Sequence, residues 1–178
     1  IKIVMPCNMS KERKQMLKFY GAELIEVDAG DFDGAIALRD KLAKENSWFN
    51  CNQFHNPLNI EAHYKHTGPE INKQFRSANS YENSWPEAFV AGTGSGGTIM
   101  GVGKYLKEKF PGINLVAVEP AESAVMSGGQ PGIHGIQGIG DGSKFLVDLK
   151  KIDSIITIKT EDAKSIAKHL ALKYGLFV

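Results

Sequence analysis

Phe89-Val90-Ala91-Gly92-Thr93-Gly94-Ser95-Gly96-Gly97-Thr98 joins an apolar strand pattern to a helical one, and four of the seven residues from Gly92 to Thr98 are glycine. A strand that runs into a helix through such a turn aims backbone N–H groups and the positive end of the helix dipole at one point. Glycine there lets an anion come close to the main chain, and Thr93, Ser95 and Thr98 add hydroxyl donors. The turn reads as an anion site, for phosphate before any other. A plain tight connection between strand and helix would need neither the glycines nor the hydroxyls in this number.

The segments around the turn repeat its strand-then-helix order. Before it come a strand at Ile1 to Val4, a helix from Lys11 to Tyr20 capped by Ser10 and ended by Gly21, and a strand at Glu23 to Val27. A turn at Asp28 to Asp31, a helix over Phe32 to Lys44 and a third strand at Trp48 to Cys51 follow. Asn56-Pro57-Leu58-Asn59 reads as a turn, Ile60 to His66 as helical, Gly68-Pro69 as a breaker pair, and Ser77 to Pro86 as an exposed loop. After the strand at Ala88 to Ala91 and the Gly-rich turn come a helix over Ile99 to Phe110, a strand at Leu115 to Val118 and a long Gly-rich loop from Glu119 to Ser143. A strand at Ile155 to Ile158 and a helix from Glu161 to Tyr174, capped by Thr160 and ended by Gly175, complete the order. Strands alternating with helices indicate βαβ units and parallel sheets, so the fold class is α/β with two lobes of parallel-type sheet flanked by helices. The lobes are placed at residues 1–58 and 59–178. The sequence opens without Met on a strand-like run and stops on Leu176-Phe177-Val178, which reads as another strand, so each lobe is expected to be incomplete.

Three phosphate ligands compete for the turn. Gly92 and Gly97 have the spacing of a P-loop, but Thr98 stands where the phosphate-binding Lys is required, which removes a nucleoside triphosphatase. Gly92, Gly94 and Gly97 satisfy the G-x-G-x-x-G dinucleotide pattern after a strand, and Glu119 lies 22 residues beyond Gly97 at the end of the next strand, where it could meet a ribose hydroxyl. An NAD-binding module therefore stays open on spacing. The hydroxyl content of the turn and a second Gly-rich loop, neither of which a dinucleotide domain requires, argue for another phosphate ligand.

Composition narrows the partners. In 178 residues, 21 Lys and Arg stand against 20 Asp and Glu, so no net field holds a nucleic acid or an anionic membrane. No apolar run approaches the roughly 18 residues that span a bilayer. With 42% apolar and 23% charged residues the composition is that of a globular, soluble chain. Two cysteines, Cys7 and Cys51, are too few for a disulfide scaffold, and no signal segment is evident, which fits a cytoplasmic setting.

The second Gly-rich loop, Glu119 to Ser143, is too long and glycine-dense for a plain connection, and it is one of several segments to be read together. Met5-Pro6 to Arg13, Gly21-Ala22-Glu23-Leu24, Gln53-Phe54-His55-Asn56-Pro57, His66-Thr67-Gly68-Pro69-Glu70-Ile71, Ala91 to Gly103, Val118-Glu119-Pro120-Ala121 and Ile136-Gln137-Gly138-Ile139-Gly140 occur in that order. Together they resemble the cysteine synthase (O-acetylserine sulfhydrylase) family of pyridoxal-phosphate enzymes, within the tryptophan synthase β-like superfamily. The resemblance implies that superfamily's fold, and that Gly94, Ser95, Gly96, Gly97 and Thr98 cradle the phosphate of pyridoxal 5′-phosphate, with Ser95 where the family has Thr. It implies that Gln53 and Phe54 line the substrate side and that Gly138 belongs to a mobile loop beside the cofactor. It also implies a transferase that replaces the acetate of O-acetylserine by sulfide to form cysteine, or a cystathionine β-synthase-like relative.

By the same resemblance the protein is a homodimer, and its cleft can receive the C-terminal tail of serine acetyltransferase. The family's Schiff-base Lys segment, its Thr-Ser-Gly-Asn loop and the Ser at the pyridine nitrogen are not found. They would precede Ile1 or follow Val178, so residues 1–178 alone are expected to be inactive unless another lysine, such as Lys104 or Lys144, substitutes. Asn72 to Pro86 is longer than the family has there and reads as a surface insertion.

The remaining reactive side chains have structural readings. Cys51 and His55 lack a partner pair with zinc spacing, and no metal site is expected. His63, His66 and His169 read as solvated or edge-packed, Cys7 as a small buried residue, and Lys11 to Lys18 as a solvated helix face.

Overall fold

A computed structural model describes residues 1–78 and 85–178. The chain divides into two compact units, Ile1–Asn52 and Gln53–Val178.

In the first unit, strands β1 (Lys2–Pro6) and β2 (Glu23–Val27) pair in parallel, Lys2 opposite Glu23 and Pro6 opposite Val27. Helix α1 (Lys11–Phe19) joins them and helix α2 (Phe32–Glu45) follows. Ser10 and Asp31 cap the two helices: the Ser10 hydroxyl accepts from Arg13 N–H, and the Asp31 carboxylate accepts from Gly34 N–H at 2.8 Å. Met5, Pro6 and Ala35 are buried in this unit.

The expected strand at Trp48 to Cys51 does not form. Ser47 and Asn52 take positive φ angles of 54° and 47°, outside strand geometry. The polar groups bond locally instead, Asn50 Nδ2 to Asp40 and Arg39 Nη2 to Asn52, in competition with a sheet ladder. Cys7 is exposed rather than buried, because it lies one residue past β1, where the chain leaves the sheet.

In the second unit, strands β3 (Ala88–Gly92), β4 (Asn114–Pro120) and β5 (Ser154–Ile158) form a parallel sheet with β4 in the centre. Leu115, Val116 and Ala117 are buried, as expected of a strand covered on both faces. Helix α5 (Gly97–Lys109) packs on the sheet. Ile99, Met100, Ala117, Met126 and Val147 form one apolar cluster, and Val102, Leu106, Phe110, Ile113 and Leu115 form the other. Truncating a side chain such as Leu106, 2% exposed, to Ala costs about 2–5 kcal/mol.

Helix α3 (Pro57–Ala62), a π-helical turn (His63–Thr67) and helix α4 (Gly68–Ala78) follow one another without a break. Asn56 to Asn59 is therefore a helix start, with Asn56 as cap and Pro57 in the first turn. Gly68-Pro69 does not end the helix. The wide turn, in which Gly68 N–H donates to the His63 carbonyl, makes room for the Pro69 ring, which a regular helix would not. Ser77 and Ala78 close α4 instead of opening a loop. Asn72 to Ala78 of the expected insertion belong to α4, Trp85 and Pro86 are irregular, and residues 79–84 lie outside the described residues.

Helix α6 (Thr160–Tyr174) starts after Lys159, so Thr160 is its first residue and not its cap. Its hydroxyl accepts from Gly135 N–H at 2.9 Å, and its N–H donates to Glu122 at 2.8 Å. Gly175, at φ 67°, ends the helix as expected. Leu176–Val178 pair with no strand among the described residues.

Asp153 ties β4 to the segment before β5. Leu115 N–H donates to its carboxylate at 2.7 Å and Lys107 lies at 2.8 Å, and these two contacts hold the carboxyl below the usual aspartate range. A carboxyl with a lowered folded-state pKa stabilises the fold above its unfolded value of about 3.9, and that contribution fades as pH falls through the folded value. The stability of wild-type protein is thus expected to fall more steeply below about pH 4 than that of Asp153→Asn. Urea melts across that range check this, and parallel curves contradict it.

Candidate active site

The turn after β3 continues the sheet for one residue and then leaves it. Thr93 N–H donates to the Val118 carbonyl at 2.9 Å, and Gly94, Ser95 and Gly96 then cross to α5. Gly96 takes φ +90°, which favours glycine, and no side chain caps the helix. The N–H groups of Gly94, Ser95 and Gly96 have no hydrogen-bond partner among the described residues. Three open donors at an uncapped helix N-terminus suit an anion.

Three other segments close on this turn, each too tightly to leave room for a side chain. A Cβ on Gly97 would stand 2.0 Å from Asn59 Oδ1. On Gly96 it would stand 2.6 Å from Val147, and on Gly94 2.7 Å from the Gly138 carbonyl. The backbone supplies further ties, Gly140 N–H to the Thr93 carbonyl and Leu146 N–H to the Ser95 carbonyl, both at 3.1 Å. Gly138 takes φ +92° and is exposed, so the second Gly-rich loop runs directly beside the first.

Two of the turn's three hydroxyls are held from α3 and the π-helical turn; the third, on buried Thr93, donates instead to the Ala91 carbonyl at 3.2 Å, so it is not one of the open donors expected from the sequence. Asn59 Nδ2 donates to Ser95 Oγ at 3.0 Å and also to the Gln53 carbonyl at 2.9 Å. Thr98 Oγ1 lies 3.2 Å from His63 Nε2. Phe54 stacks on Phe145 with ring centroids 4.3 Å apart, and Gln53 is exposed. All eight residues singled out from the sequence, Gln53, Phe54, Gly94 to Thr98 and Gly138, therefore lie in segments tied to one turn.

Asn59 and Phe145 carry no functional signal in the sequence, and His63 reads there as solvated. His63 is half-buried against the turn, not solvated; its spacing of one helical turn from Asn59 was the available signal. His66 and His169 are exposed. Lys104 is exposed, with its ammonium 4.4 Å from the Tyr64 ring, and Lys144 is exposed.

Glu119 does not face a ligand. It is 2% exposed, and its two oxygens accept from Met126 N–H at 2.8 Å and Ser127 N–H at 2.9 Å. A dinucleotide would need one of those oxygens for its ribose, so the NAD reading fails on this residue.

The model of the family described as pyridoxal-phosphate dependent enzyme matches residues 1–178. The chain belongs to that family. It is 42% identical over 97% of its length to a cysteine synthase of Staphylococcus aureus. Among solved structures, a cysteine synthase of Entamoeba histolytica matches with a TM-score of 0.85 at 40% identity over 98% of this chain and 51% of that one. An O-acetylserine dependent cystathionine beta-synthase of Helicobacter pylori matches with a TM-score of 0.86 at 36% identity over 99% and 56%. The chain spans about half the length of the curated relatives it matches, 54% for the S. aureus enzyme.

The residues present fit the family's cofactor. A phosphate ester needs unpaired N–H donors and close access to the main chain, and Gly94 to Thr98 offer both, with the Ser95 and Thr98 hydroxyls alongside. A Cβ on Gly97 would strike the Asn59 amide, which has no room to retreat without releasing Ser95 and Gln53. Gly97→Ala is expected to weaken binding of pyridoxal 5′-phosphate about tenfold or more while leaving affinity for pyridoxal, which lacks the phosphate, within about twofold. Equilibrium dialysis of both ligands reads the difference, and equal loss for both would contradict it.

Proposed function

We propose that the protein is a cysteine synthase, in which pyridoxal 5′-phosphate is held by its phosphate at Gly94 to Thr98 and the acetate of O-acetylserine is replaced by sulfide. The observation that carries the reading is the uncapped N-terminus of α5, with three open N–H donors and two hydroxyls oriented by neighbouring side chains. When bound, the cofactor supplies an electron sink for loss of a β-substituent from an amino acid. The chain's own residues bind and orient. The N–H groups of Gly94, Ser95 and Gly96 neutralise phosphate charge at the positive end of the helix dipole. Asn59 donates to Ser95 Oγ, which leaves the Ser95 proton free for a phosphate oxygen.

Gln53 and Phe54 are assigned to the substrate side, and Gly138 to the loop that borders the cofactor. Asn59 bonds to both the Gln53 carbonyl and Ser95, so the substrate segment and the phosphate turn share one anchor. Residues 1–58 are assigned to the small lobe and residues 59–178 to the large one, a boundary six residues past the division between the two compact units. The overall reaction exchanges one bond at the β-carbon: acetate leaves with the C–O electron pair, and sulfide supplies the pair for the new C–S bond. The sulfide reading is preferred because cysteine synthases stand among the relatives of highest identity. The cytoplasmic homodimer, and the serine acetyltransferase tail as a partner, extend the same reading.

Incubating the intact protein with pyridoxal phosphate, O-acetylserine and sulfide is expected to yield cysteine and acetate in equal amounts. Turnover of O-acetylserine with homocysteine in place of sulfide, and none with sulfide, would instead favour the activity named for the H. pylori relative.

A further inference from the structure

His63 stands between two hydroxyls. Its Nδ1 lies 2.9 Å from Thr67 Oγ1, and its Nε2 lies 3.2 Å from Thr98 Oγ1, in the phosphate turn. Helix α5 passes close to the base of this side chain, since a Cβ on Gly101 would stand 2.6 Å from His63 Cβ. The π-helical turn spans His63 to Thr67, the two residues joined by the Nδ1 contact.

A threonine hydroxyl has one proton to give. If Thr98 gives it to Nε2, only oxygen lone pairs face an anion in the turn, and the contact is repulsive. If Nε2 carries the proton, it donates to Thr98 Oγ1, and the Thr98 proton is free for a phosphate oxygen. Nδ1 of that tautomer is then an acceptor, and the Thr67 hydroxyl fills it. Of the two neutral tautomers, one satisfies every group: Thr67 O–H to Nδ1, Nε2–H to Thr98 Oγ1, and Thr98 O–H to the anion.

We propose that His63 is a positioning residue, held by Thr67 in the Nε2–H tautomer, that aims the Thr98 hydroxyl proton at the cofactor phosphate. The inference rests on the phosphate reading of the turn. His63 touches neither substrate nor reacting atoms and acts through Thr98. Histidine serves here because its two ring nitrogens connect hydroxyls that lie too far apart to bond directly.

The test uses the intact protein and two readouts other than turnover. With 15N-labelled histidine and pyridoxal 5′-phosphate bound at pH 8, long-range proton–nitrogen spectra are expected to show His63 with Nε2 protonated and Nδ1 bare. The reverse tautomer, or a ring protonated on both nitrogens, would overturn the proposal, and this measurement needs no variant. The second readout is affinity for pyridoxal 5′-phosphate against pyridoxal. In His63→Gln the amide N–H₂ reaches the place of Nε2, and the preference for the phosphorylated ligand should stay within about twofold of wild type. In His63→Asn the amide reaches only the place of Nδ1, and the preference should fall about 3- to 10-fold, the size of one hydrogen bond. If wild type shows the preference and both variants keep or lose it alike, the role given to His63 is wrong and the phosphate reading stands. If wild type shows no preference for the phosphorylated ligand, both fall together.

Discussion

The closeness of α3 and the π-helical turn to the first turns of α5 is the constraint on which the rest of the site depends. Gly97 and Gly101 permit it, since a Cβ at either would overlap Asn59 or the backbone carbonyl of Ile60. Because the elements meet at that distance, two side chains one helical turn apart reach two hydroxyls of the phosphate turn, Asn59 to Ser95 and His63 to Thr98. The Asn59 amide donates to the Ser95 hydroxyl, which keeps its own proton for a ligand, and the assignment made for His63 extends the same arrangement to Thr98. The turn is preorganised before an anion arrives, which lowers the cost of ordering it on binding.

A second set of ties brings the long Gly-rich loop to the same place. Glu119, buried at the end of β4, accepts two N–H groups from the loop, and Glu122 and Thr160 fix it to the start of α6. The Glu122 carboxyl is held below the usual range, chiefly by the Thr160 N–H, so it remains an ionised acceptor in mildly acidic solution. The loop's own bond from Gly140 to Thr93 then sets Gly138 beside Gly94. Residues that resemble dinucleotide or capping positions in sequence thus serve as anchors for a loop.

Most of the alternation of strands and helices was legible because its signals are local: apolar runs such as Leu115 to Val118, caps such as Ser10, and stops such as Gly21 and Gly175. The turn from β3 to α5 was legible for the same reason, its glycines and hydroxyls lying within ten residues. The failures came where a local rule met a nonlocal contact. Trp48 to Cys51 had strand-like composition, but Asn50 and Asn52 found side-chain partners on α2. Gly68-Pro69 had the composition of a break, but the π-helical turn absorbed the proline. His63 looked solvated because nothing near it in sequence shows that Thr98, 35 residues away, would meet its Nε2.

The central claim, that the turn from Gly94 to Thr98 is where the cofactor phosphate binds, is tested most directly by backbone amide spectra of the protein during titration with pyridoxal 5′-phosphate. The account predicts that the N–H signals of Gly94, Ser95 and Gly96 move downfield on saturation, farther than any others, as they acquire charged hydrogen-bond acceptors. Saturable binding with those three signals unmoved would contradict it.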